Sequence, residues 1–229
     1  MKRALQAIVF DFDGVIANSE PLHLVAFQRT LADEGVNLSE QDYYHRYLGY
    51  DDMGLFEALG HDRGIPMDEG RLATLVARKG ERMQEMLQSG AVLFPGATEF
   101  IREAASEVPI AIASGALRHE IEAIIDGAGV ADLFAAIVAA GDTREGKPSP
   151  APYRLAFERL RERTGRDLDP RRSVAIEDSR WGLLSARGAG LRLVGVTSSY
   201  PAAELSDAEL VVDGLRALTL PALDRLCAS

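Results

Sequence analysis

VPIAIASGALRHEIEAIIDGAGVADLFAAIVAAG, residues 108–141, places two short apolar runs, 110–113 and 135–139, on either side of an amphipathic segment, 117–125. Runs of four or five apolar residues fit strands buried on both faces, and the segment between them has the three-to-four-residue spacing of a helix. The rhythm continues downstream: helix 151–163, strand 174–176, helix 181–187, strand 192–196 and a weak last strand at 210–212. Upstream, a helix at 98–105 follows the turn Phe94-Pro95-Gly96. Strands and amphipathic helices in strict succession imply a mostly parallel sheet covered on both faces. Residues 4–10, ALQAIVF, read as a further buried strand of the same sheet, ended by the turn DFDGV. Between these parts the texture is helical only, carried by Leu22, Ala26 and Leu31 and again by Leu72, Leu75, Val76, Met83, Met86 and Leu87. The expected fold is therefore α/β, a Rossmann-like, doubly wound core. It is discontinuous, about 1–17 plus 93–229, around an inserted all-helical cap domain of three to four helices at about 18–92.

Composition narrows the function classes. The 229 residues are 47% hydrophobic and 26% charged, as in an ordinary globular protein able to bury a large core. Thirty-five acidic against 25 basic side chains give a formal net charge of -10, which repels a nucleic-acid backbone. No stretch has the uninterrupted apolar length of a membrane span. The single Cys227, among polar terminal residues, closes no intramolecular bridge, so a reduced, cytoplasmic protein is expected. Lysine occurs only at Lys2, Lys79 and Lys147, which marks an interior lysine as a candidate point charge.

In such sheets ligands bind beyond the carboxyl ends of the strands. Those ends carry Asp11 and Asp13, then Ser114 and Gly115, then the segment 142–147 with Lys147, then Glu177, Asp178 and Ser179. Taken singly, each group has an ordinary reading: a capping turn, a helix N-cap, a solvated loop lysine. Two carboxylate pairs on one rim would repel unless a cation held them, and oxygen donors without Cys or His point to magnesium. Together the groups supply a nucleophilic carboxylate, an acid/base carboxylate, a metal site and partners for phosphoryl oxygens.

Asp11-Phe-Asp-Gly-Val-Ile, Ser114-Gly-Ala, Gly146-Lys-Pro-Ser-Pro and Ile176-Glu-Asp-Ser stand in the order found in the haloacid dehalogenase superfamily. The chain resembles the branch containing phosphoglycolate phosphatase and beta-phosphoglucomutase, along nearly its whole length. The resemblance implies a magnesium-dependent phosphatase acting on a small phosphorylated metabolite, as a monomer or small homo-oligomer. Asp11 would form an aspartyl-phosphate, and Asp13 would protonate the leaving oxygen and then activate water. Mg²⁺ would be held by Asp11, the Asp13 carbonyl and Asp178, with Glu177 in support, and Ser114, Gly115 and Lys147 would bind phosphate. His23, Gly49, Lys79 and Arg118 are candidate substrate or cap residues, and Trp181 reads as a packing anchor. An aspartate at position 13 favours phosphate esters over carbon–halogen cleavage. In the similar mutases an arginine follows a glycine of the cap by three residues. Asp52 stands there in this chain, where a carboxylate is expected to repel a second phosphate. A sugar-phosphate mutase is the alternative reading.

Overall fold

The computed structural model describes residues 3–48, 50–87 and 93–228. The chain divides into two compact units, Met1–Ser19 with Ala91–Ser229, and Glu20–Gly90.

In the first unit, six parallel strands form one sheet in the order β3-β2-β1-β4-β5-β6. These are β1 Ala7–Phe10, β2 Ile110–Ala113, β3 Phe134–Val138, β4 Ser173–Glu177, β5 Arg192–Val196 and β6 Leu210–Val212. The helices of this unit are α5 Ala97–Glu107, α6 Arg118–Gly127, α7 Ala151–Thr164, α8 Arg180–Gly188 and α9 Leu220–Ala228, counting from the four of the other unit. Alternation along the strands sorts the side chains by face. Ala7, Val9, Ala111, Ala113, Ala175 and Leu193 pack with Tyr153, Ala156, Phe157 and Leu160 of α7 and with Leu183 and Ala186 of α8. Small strand residues let these two helices lie close to the sheet. On β1 the alternate residue Phe10 instead meets Phe100 of α5 edge-on at 6.1 Å.

Strand β1 lies between β2 and β4, so the order reverses beside it, the place where a parallel sheet leaves a crevice at its carboxyl end. The helix α9 was not anticipated in the sequence, although Leu220, Leu223 and Cys227 form its buried stripe. Cys227 is thereby buried and not a polar tail residue, and burial pushes its thiol up to about 11. Among the described residues no helix is long and apolar enough to cross a membrane.

The second unit is helical: α1 Glu20–Ala32, the single turn α2 Glu40–Asp42 running into a π-helical segment Tyr43–Tyr47, α3 Asp52–Arg63 and α4 Glu69–Leu87. Its core gathers Phe27, Leu31, Tyr43, Tyr47, Leu55, Phe56, Leu59, Leu72 and Leu75. Arg71, Arg78 and Arg82, along one side of α4, pair with Glu34 and Asp33 just beyond α1. Asp51 caps α3 by accepting from the Gly54 amide at 2.7 Å, and Gly64, at φ 65°, ends it in the left-handed region.

Candidate active site

The register of β1 and β4 sets Phe10 beside Ile176, and the Asp11 amide donates to the Ile176 carbonyl at 2.9 Å. Asp11 therefore leaves the sheet next to Glu177 and Asp178. Carboxylate oxygens of these three buried residues all lie within 4.8 Å of one another. Lys147, delivered by the loop after β3, lies between two of them, 2.7 Å from Asp11 Oδ1 and 2.5 Å from Glu177 Oε1. Ser114, buried at the end of β2, accepts the Ala116 amide on its Oγ at 3.0 Å. Gly115 beside it has open space where a Cβ would stand. Asp13 is partly exposed, and its carboxylate accepts from the buried Ser19 hydroxyl.

Two glycines make room for these acids. Gly14 sits at φ 77° and a Cβ there would fall 1.9 Å from Asp178 Oδ2, while the Ser198 hydroxyl donates to the Gly14 carbonyl. On α8, a Cβ at Gly182 would fall 1.7 Å from Glu177 Oε1.

The three carboxylates are not equivalent. Glu177 Oε1 accepts from Lys147 and from the Tyr153 hydroxyl at 3.0 Å, and Oε2 accepts from the amides of Asp178 and Ser179 at 3.1 and 3.2 Å and from Ser179 Oγ at 3.0 Å. Five donors leave Glu177 little capacity to ligate a metal directly. Burial and the repulsion of Glu177 raise Asp11 well above the carboxylate range, with Lys147 opposing. The same two causes, in that order, push Asp178 up to about 7. Lys147 is disfavoured by burial, but the charges of Asp11 and Glu177 outweigh this and raise it. A hard divalent cation facing Asp11 and Asp178 would relieve both raised carboxyls, so the donor set fits such an ion.

Arg118 is engaged elsewhere. Together with Arg159 it holds Asp142 Oδ2, at 2.6 and 2.8 Å, and both donate to the Ile137 carbonyl. Asp142 also accepts the Ala139 amide, which ties down the start of the Lys147 loop. Trp181 is not a packing anchor. It is 47% exposed, with the Arg180 guanidinium 4.2 Å over its ring, because Gly182, Leu183 and Ala186 form the inner face of α8.

In the helical unit Lys79 is buried, 1% exposed, 2.8 Å from Asp52 Oδ1 and 2.8 Å from His23 Nδ1, with its ammonium 5.0 Å over Phe27. An ammonium only donates, so His23 accepts on Nδ1 and carries its proton on Nε2. Burial, then Lys79, bring His23 down to about 3. Asp52 is thus neutralised by Lys79, which corrects the expectation that it opposes a second phosphate. Arg46, in the π-helical segment, is held by Asp62. Gly49 lies outside the described residues. Sequence reasoning missed Tyr153, Ser19, Ser198 and Gly182. Only Tyr153 left a signal, a hydroxyl on the apolar face of a helix that must find a buried partner.

A family model for haloacid dehalogenase-like hydrolases matches residues 5–190. Protein CbbY of Rhodobacter capsulatus is 36% identical over 205 residues, covering 86% of this chain and 87% of the relative. Phosphoglycolate phosphatase of Pectobacterium atrosepticum is 26% identical, covering 92% and 89%. A crystal structure of a CbbY variant from Rhodobacter sphaeroides in complex with xylulose-(1,5)bisphosphate superposes with a TM-score of 0.80 at 29% identity, covering 93% and 96%. With the motifs, the sheet order and the acidic cluster in agreement, the chain belongs to the haloacid dehalogenase-like hydrolase family.

Proposed function

We propose that this enzyme, a phosphatase of the haloacid dehalogenase-like family, hydrolyses a small sugar-phosphate monoester through Asp11 in a Mg²⁺-dependent reaction. The observation that carries the reading is the junction of Asp11, Lys147, Glu177 and Asp178 at the carboxyl ends of adjoining strands. The Asp11 carboxylate attacks phosphorus, the ester O–P bond breaks, and Asp13 gives its proton to the departing oxygen. Asp13 then takes a proton from water as that water attacks the aspartyl-phosphate, which releases orthophosphate and restores Asp11. Lys147 and Ser114, with the Gly115 amide, bind the equatorial phosphoryl oxygens. Asp11, Asp178 and the Asp13 carbonyl would hold Mg²⁺, which when bound neutralises charge on the transferring group. Glu177 fixes Lys147, and the Ser19 hydroxyl orients Asp13.

In this reading residues 1–17 and 93–229 carry the chemistry, and residues 18–92 select the leaving group. The pairing of Asp52 with Lys79 supports tolerance of a second phosphate on the substrate, and the CbbY relative with xylulose bisphosphate favours phosphorylated ketoses. The test is phosphate release from a panel of xylulose bisphosphate, hexose phosphates and phosphoglycolate, with Mg²⁺ and with chelator. We expect orthophosphate from a sugar phosphate, without isomerised sugar phosphate, and none with chelator or with Asp11→Asn. Isomerisation of beta-glucose 1-phosphate outpacing phosphate release would establish a mutase instead.

A further inference from the structure

Lys147 is the cation of the site, and its position rests on Glu177, whose own position is shared with Tyr153. Tyr153, on the inner face of α7, is completely buried. Its hydroxyl donates to Glu177 Oε1 at 3.0 Å, the same oxygen that accepts from Lys147 at 2.5 Å. Its ring also lies 5.1 Å beneath the Lys147 ammonium. One side chain therefore touches both members of the ion pair, by a hydrogen bond to the anion and by an aromatic face to the cation. Burial, then the charges of Glu177 and Asp11, raise the phenol well above its ordinary range, so it stays a donor.

We propose that Tyr153 is a positioning residue for Lys147, sharing Glu177 Oε1 so that the ammonium keeps donors for Asp11 and an incoming phosphoryl oxygen. An ammonium has three N–H groups. One is directed at Glu177 and one at Asp11 Oδ1, which leaves the third for a ligand. Without the phenol, Glu177 Oε1 has Lys147 as its sole donor. The full charge of that oxygen then falls on Lys147 in a low-dielectric setting, and the ammonium reorients toward it, at the expense of its bonds to Asp11 and the substrate. The ring contact restrains the same motion from below.

The inference rests on the phosphatase reading for its kinetic consequence, while its structural content is testable apart from activity. The chain has three lysines, so lysine-selective isotope labelling gives three side-chain signals. In Tyr153→Phe the Lys147 signal should move, with those of Lys2 and Lys79 in place. The kcat/KM on the substrate identified by the panel, and inhibition by orthovanadate, should both weaken on the order of tenfold, the scale of a hydrogen bond to a buried charge. The melting temperature should fall by no more than several degrees, because the ring is retained. Tyr153→Leu, which removes both contacts, should be worse than Tyr153→Phe. In a Glu177→Gln background Tyr153→Phe should add less than about twofold, since the two act through one oxygen. An unmoved Lys147 signal in Tyr153→Phe would overturn the proposal, as would kinetics within twofold of the parent or a full tenfold loss persisting in the Glu177→Gln background. A chain that releases no phosphate yet shows the shifted Lys147 signal keeps the proposal and discards the phosphatase reading.

Discussion

Replacing Gly182 by alanine tests the site at its most crowded point. The new Cβ would lie 1.7 Å from Oε1, 1.8 Å from Cδ and 2.1 Å from Oε2 of Glu177. Carbon atoms pack at about 3.5 Å or more, so the carboxylate must retreat by roughly 1.7 Å or α8 must lift from the sheet. Five hydrogen bonds that start between 2.5 and 3.2 Å cannot survive a retreat of that size. Breaking a buried ion pair costs roughly 3–5 kcal/mol, whereas alanine in place of glycine in a helix returns at most about 1 kcal/mol. The net loss of about 3 kcal/mol corresponds to a melting temperature lower by roughly 6–12 °C for a chain of this length. Turnover should fall by about 100-fold or more, because Lys147 loses its anchor. Differential scanning fluorimetry and phosphate release give the two readouts. Gly80→Ala is the control, since Gly80 lies in α4 with open space about its would-be Cβ. That variant should gain about 0.5–1 kcal/mol. A Gly182→Ala protein that melts within a degree or two of the parent and turns over normally would refute the packing account of Glu177.

Further outcomes follow from the other charged clusters. His23, brought down to about 3, has a folded-state value below its unfolded one of 6.5, so its contribution is complete above pH 6.5 and is lost as pH falls toward 3. At about 1.4 kcal/mol per pH unit this reaches at most about 2 kcal/mol by pH 5, less for a partly exposed ring. Urea midpoints of the parent and His23→Gln should therefore converge on going from pH 7 to pH 5, and parallel curves would contradict the assignment. Lys79→Met should destabilise by roughly 3 kcal/mol, and pairing it with Asp52→Asn should cost less than the two single losses summed, as a double-mutant cycle in urea will show. Asp178→Asn should raise the Mg²⁺ concentration for half-maximal phosphate release by about tenfold or more, and an unchanged requirement would remove Asp178 from the metal site.

Much of the core was legible because its strands are short apolar runs with polar ends. The runs 192–196 and 210–212 match β5 and β6 residue for residue. Strand order was not legible, since parallel pairing joins segments far apart in the chain, and Asp11 meets Glu177 only because β1 lies beside β4. The rim acids and Lys147 could be named from the strand ends, but their unequal roles could not. Three of the five donors on Glu177 come from the two residues that follow it, but Lys147 and Tyr153 come from segments that no local pattern connects to it. Lys79 could be named as a candidate, but not as buried, because its burial is set by Phe27, His23 and Asp52 across the helical unit. The role expected of Trp181 missed, and the ion pair of Arg118 went unforeseen, for a related reason. Which face of a helix turns inward, and which acid reaches a given arginine, depend on neighbours distant in sequence.

The unequal environments of the carboxylates also account for the charge of the site. Asp11, Glu177 and Asp178 bring three negative charges when ionised, and Lys147 returns one positive charge. The remainder is two negative charges in a buried setting, the amount a single divalent cation cancels. Glu177, satisfied by five donors and paired with Lys147, needs no such help. Asp11 and Asp178 are the ones held above their ordinary range, so the deficit lies where the proposed mechanism requires an ionised Asp11. A phosphate dianion approaching the rim without a cation would meet net repulsion, and in water-poor surroundings that repulsion is weakly screened. With a divalent ion in place the same approach is met by a balanced site, whose Lys147 still has a donor to offer. The division of labour in the proposed reaction is thus one carboxylate, Glu177, that holds the lysine, and two, Asp11 and Asp178, that would face a cation.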